Sequence, residues 1–217
     1  MQSSERKRYL SGWLEYNYPE EYTSSLKLQK FLFLYEAFSK VEKDTYEFTQ
    51  LEGWKNGTVF CSVWNDYTKN RAEFNAVARD NYFKHKKDIN YNRAKICSFI
   101  VSVLSEKELS ELTHQFHIWN SQINMLKLNL RHIKLDDRDF NSNDIRIVKL
   151  LHSMYPVDFI DSVNVVKIED YAFLVPKGQY DRLTDTHLDT LVRLTESESL
   201  TNPIYIEIDD EGRLLVD

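Results

Sequence analysis

Leu26-Lys27-Leu28-Gln29-Lys30-Phe31-Leu32-Phe33-Leu34-Tyr35 is the stretch on which the reading of the fold turns. Leu28, Phe31, Leu32, Tyr35 and then Phe38 recur at helical spacing. Thr23, Ser24 or Ser25 can supply the N-cap oxygen that accepts from the first free backbone N–H groups. The spacing predicts a helix running to about Lys43. On that projection Lys27, Gln29 and Lys30 lie off the buried stripe, where a partner can reach them.

On the N-terminal side, Tyr9, Leu10, Trp13 and Leu14 predict a helix over residues 3–16, ended by Pro19. On the C-terminal side, residues 48–60 carry Trp54 and the turn dipeptide Asn56-Gly57. They read as a structured connection leading to a helix that begins near Val59 or Cys61. Two more helices are expected over 71–84 and 90–104. Ser105-Glu106-Lys107-Glu108 matches the capping box, with Ser105 as N-cap. The helix it opens is expected to align Leu109, Leu112, Phe116 and Trp119 on one apolar face.

The acidic run Leu135-Asp136-Asp137-Arg138-Asp139 marks a shift in composition. A helix over 142–154 follows, stopped by Pro156, and then the period changes. Residues 163–168 and 171–175 read as a hairpin, as do 204–208 and 213–216, with a helix over 183–194 between them. The expected fold is therefore α-rich α+β: a multi-helix bundle over 1–135 and a C-terminal α+β segment with β-hairpins, 136–217, packed on it. The strands at 204–208 and 213–216 are expected as edges able to accept a partner strand.

With 217 residues, 42% of them hydrophobic, the chain can bury a core without disulfides; 5 Gly and 4 Pro argue against long linkers. A net charge of -6 gives no general drive towards nucleic acid or anionic membrane. Cys61 and Cys97 are expected as reduced, buried thiols. The polar residues 1–8 show no signal peptide, and no apolar run reaches the ~18–20 residues of a membrane span, so a cytoplasmic location is expected.

His114-x-x-His117 has metal-ligand spacing but no H-E-x-x-H and no Cys pair, so a structural role is expected and no metal. There is no Walker loop, no G-x-G-x-x-G and no G-x-S-x-G. Residues 136–139 lack the EF-hand pattern. No catalytic constellation and no cofactor are expected. Residues 79–95 are the most basic stretch, with Tyr82, Phe83 and Tyr91 interleaved; nucleic acid, a protein contact and a plain solvated surface all fit, the last best. Gly57 reads as a backbone requirement, and Trp54 as a packed residue beside a turn, able to anchor a partner.

Three blocks together carry a resemblance: Leu26-Lys27-Leu28-Gln29-Lys30-Phe31-Leu32; Trp54-Lys55-Asn56-Gly57-Thr58-Val59; and Leu109-Ser110-Glu111-Leu112-Thr113-His114 with Trp119 downstream. In this order and spacing they resemble the Panacea family of SocA-like and phage-associated antitoxins, over roughly Tyr22 to Trp119. Thr58 stands where the family usually has Pro. The resemblance implies a non-catalytic antitoxin that neutralises a cognate protein toxin, encoded next to it, by direct binding. A second implied role is that of an adaptor delivering the toxin to a AAA+ protease, as SocA-like proteins do. A DNA-binding regulator of a mobile element, working through residues 79–95, is the third reading. The expected partner contacts are Lys27, Gln29, Lys30, Trp54, Gly57, His114 and Trp119.

Overall fold

The computed structural model describes residues 1–127, 132–196 and 200–217. Ser4 and Ser24 each accept from the backbone N–H three residues on, and so start the helices α1, Glu5–Asn17, and α3, Ser25–Val41. Between them lies the short α2, Pro19–Tyr22. Strands β1 (Leu51–Trp54) and β2 (Gly57–Phe60) then form a hairpin. Helices α4 (Cys61–Lys69), α5 (Arg71–Lys84), α6 (Tyr91–Val103) and α7 (Glu106–His114) follow. Next come α8 (His117–Asn120), α9 (Ile123–Lys127) and β3 (Ile133–Lys134), which adds to β1. Helices α10 (Ser142–Met154) and α11 (Val157–Ser162) lead into β4 (Val163–Ile168) and β5 (Tyr171–Pro176). The chain ends with α12 (Lys177–Tyr180), α13 (Asp185–Thr195), β6 (Ile204–Ile208) and β7 (Leu214–Val216). The fold is mixed α+β and mostly helical, and no described helix is long and apolar enough to cross a membrane.

α3 is the central helix. Every residue from Leu28 to Ser39 is buried, because α1, α6, α10, β2 and α7 surround it. This corrects the one-stripe projection: Gln29 and Lys30 point inward, and Phe33, Leu34 and Ala37 are buried as deeply as the predicted stripe. Helix α1 packs closely on α5, where a side chain at Gly12 would meet Ala78 O at 2.2 Å. α1 is also tied to α3 through the fully buried Glu36 carboxylate. That carboxylate accepts from Arg6 Nε (2.8 Å), from Lys7 Nζ and from Glu47 N (3.0 Å). Such a group is strongly destabilising only when one partner is lost, since a lone buried charge then remains.

Within the expected structured connection, residues 51–60 form a pair of strands. Their loop is Lys55-Asn56, and Gly57 takes a φ of +103°, a backbone state L-residues avoid. The helix opened by the Ser105 capping box ends at His114, so Phe116 and Trp119 reach the core from beyond it. The break is stabilised by the buried Asp144 carboxylate, which accepts from His117 N and Ile118 N and so caps α8.

The two C-terminal hairpins join into one sheet, in the order β4-β5-β6-β7, through parallel pairing of β5 with β6. β6 is therefore an interior strand, against the expectation of an edge; β7 is an edge. Alternation along β5 sends Ala172 and Leu174 into the main core, and Phe173 and Val175 into a smaller one with Leu191, Ile204 and Ile206. The main core also takes Phe140, Val148 and Leu151, so it draws side chains from both sides of Leu135. Asn202 bridges the parts: its N and Nδ2 donate to Glu108 (3.1 and 2.9 Å), and its Oδ1 accepts from Ala172 N (2.7 Å).

Candidate functional site

The expected contact residues, apart from Lys27, meet around the β1–β2 turn. From α3, Gln29 Oε1 accepts from Phe60 N at 2.8 Å. The neighbouring Lys30 Nζ donates to Asn56 O at 2.5 Å and to Thr58 O at 3.4 Å. From α7, His114 Nε2 donates to Lys55 O at 3.1 Å, an acceptor that fixes the proton on that nitrogen. From α8, Trp119 Nε1 donates to Trp54 O at 3.0 Å. The His114 and Trp119 rings stack with centroids 3.8 Å apart.

Side chains from three helices thus clasp carbonyls around the turn, and those of its two loop residues, Lys55 and Asn56, lie outside the β1–β2 ladder. Gly57 completes the arrangement, since a Cβ there would lie 2.2 Å from Thr113 Oγ1 and 2.3 Å from Lys30 Nζ. Its requirement is both conformational and steric.

Lys30 is 1% exposed, and burial lowers its pKa to about 7. Burial, then the nearby Lys30 charge, also lowers that of His114. Beside the turn lies a cavity of about 230 Å³, whose walls include Leu26, Val59, Trp54 and Trp64. The Trp54 ring packs against Trp64 at 5.1 Å and His132 at 4.2 Å, and its Nε1 donates to Glu52 at 2.8 Å. Thr113, Trp64 and Glu52 were outside the expected set. Trp64, ten residues beyond Trp54 on the following helix, is the one that the sequence marks.

Lys27 lies elsewhere. Its Nζ pairs with Glu21 at 2.6 Å in a polar cleft of about 300 Å³ between the α2–α3 and α6–α7 junctions and the β4–β5 turn. Lys167 reaches the same Glu21 carboxylate. The side chain is mostly covered, which corrects its expected exposure.

The other sequence features disperse. His117 Nδ1 bonds Asp139 O, away from His114. No cluster of three or more His, Cys, Asp or Glu suited to a metal occurs among the described residues. Cys97 is buried, but Cys61 is only half-buried at the start of α4, against expectation. Burial pushes both thiols up in pKa, away from nucleophilic thiolates. In the stretch 79–95, Arg79, Lys84 and Arg93 pair with Glu15, Asp80 and Glu42 at 2.6 Å each, and Lys95 pairs with Asp161. Arg93 and Tyr82 are buried, whereas Phe83 and Tyr91 are exposed. A cavity of about 640 Å³ between the 46–50 and 134–137 segments has neither Cys nor His in its walls among the described residues.

Comparison with protein-family models, with curated proteins and with solved structures returned no match.

Proposed function

We propose that this chain is a cytoplasmic, antitoxin-like protein of the Panacea type, which neutralises a toxin by binding it and performs no chemistry of its own. One observation carries the reading: the three sequence blocks behind the resemblance, some 90 residues apart at their extremes, assemble around a single hairpin. Their hydrogen-bonding atoms are engaged in holding backbone, not in pairing a nucleophile with a base. The turn and its cavity are the proposed contact surface, through Trp54, Lys55 and the ends of α3 and α7. The DNA-binding reading is weakened by the ion pairs of residues 79–95, whose cations largely face carboxylates of the same chain.

The test is co-expression with the product of the adjacent reading frame, scoring growth and co-purification together. Growth rescue with a stable complex is the expected result. A harmless neighbour that forms no complex would sink the proposal. Rescue that vanishes in a protease-deficient host would establish an adaptor instead.

A further inference from the structure

The cavity beside the hairpin turn is rich in donors and, among the described residues, lined by no acid. Of its polar wall groups, Ser25 Oγ, Gln29 Nε2, Lys55 Nζ and Trp64 Nε1 meet no acceptor among the described residues. Lys30 adds an ammonium group with three N–H bonds, of which Asn56 O and Thr58 O take two. Other buried cations of this chain face carboxylates: Lys7 faces Glu36, and Arg93 faces Glu42 and Asp44. Lys30 has none within ion-pairing distance among the described residues, although buried charges are ordinarily paired. Apart from Asn56, the rest of the wall is apolar, formed by Leu26, Val59 and the rings of Trp54 and Trp64.

A volume of about 230 Å³ falls below the roughly 300–1,000 Å³ usual for small-molecule sites, and suits one side chain better than a whole ligand. Lys30 lies at the floor, so the anion must arrive on a stem. A glutamate has two methylenes to lie along the packed tryptophan pair, where an aspartate has one. We propose that the cavity receives the side-chain carboxylate of a glutamate from a partner polypeptide, set over Lys30 with its stem against Trp54 and Trp64. This rests on the protein-binding reading above and names the chemistry of the contact.

The test uses the full chain and blocked pentapeptides with Glu, Gln or Asp between Leu and Phe, plus a version ending in a free carboxylate. Binding is followed at pH 6, where Lys30 holds its proton, by tryptophan fluorescence and calorimetry. The Glu peptide is expected to bind about tenfold tighter than the Gln peptide, as a charge-assisted contact should. Lys30→Met, checked for folding by circular dichroism, should abolish that difference. Lys55→Glu retains the turn carbonyls and their donors but sets an acid at the cavity mouth. It should weaken the Glu peptide by about tenfold.

Equal affinity for Glu and Gln, preference for Asp or the free terminus, or discrimination surviving both variants would overturn the proposal. So would tighter retention of oligo(dT) than of the Glu peptide. The two readings fail separately. A toxin complex indifferent to Lys30→Met and Lys55→Glu leaves the antitoxin and removes the pocket. Glutamate discrimination without any rescue or complex leaves the pocket and removes the antitoxin.

Discussion

Lys30 enters the interior with two backbone carbonyls for company, and burial alone lowers its pKa from 10.5 to about 7. The sign of the consequence follows. Between pH 7 and 10.5 the unfolded chain holds a proton that the folded chain has released, so stability rises with pH across that window. Below pH 7 both states are protonated and the contribution is constant. In urea titrations at pH 7 and pH 9.5, the unaltered protein should gain about 3 kcal/mol more than Lys30→Met. Parallel pH profiles for the two proteins would refute the assignment. The other ionisable groups nearby, Lys55, His114, Glu52 and Glu111, are common to both proteins and largely drop out of the difference. Sequence periodicity placed Gln29 and Lys30 outward because a local pattern ranks residues by polarity. It has no knowledge of a hairpin some 30 residues away whose backbone satisfies those polar ends. The all-round apolarity of Phe33, Leu34 and Ala37 was the visible sign that α3 is central.

Helix termini were legible because caps are local. Ser24, Asn90, Ser105 and Asn141 each bond a backbone N–H within their own first turn. The hairpin at 51–60 was not, since strands of four residues carry little alternation and β2 runs straight into α4. What the sequence did mark was its turn. Gly57→Ala tests how strictly that turn is held. The methyl group has to be accommodated at positive φ against Thr113 Oγ1 and Lys30 Nζ, so the turn must shift or the clasp open. The expected loss is about 2–4 kcal/mol, read by thermal or urea unfolding. Fluorescence of Trp54 and Trp119, which share a hydrogen bond across the turn, should change with it. A variant with unaltered stability and emission would show that the clasp has slack.

At the scale of the whole molecule, the pairing of β5 with β6 is what neither hairpin could announce, because it joins segments some 30 residues apart. It also changes what a truncation means. Cutting after Leu200 removes β6 and β7 and uncovers Phe173, Val175 and Leu191, so lost partner binding would report damage to the core rather than a missing edge. Asn202→Ala is the milder probe of the same junction. Loss of its bonds to Glu108 and Ala172 should lower stability by about 1–3 kcal/mol and speed amide exchange at Ala172. Unchanged exchange there would mean that the sheet is held by its apolar contacts alone. The clasp has one more consequence, for how signatures are used. Gly57, His114 and Trp119 are committed to one bend of the main chain. A search pattern built on them retrieves chains that share this bend and is blind to what each chain captures. Alanine scanning across them would score broken scaffolds as lost binding sites, so recognition is better mapped on neighbours such as Lys55 and Trp64, whose polar ends meet no acceptor among the described residues.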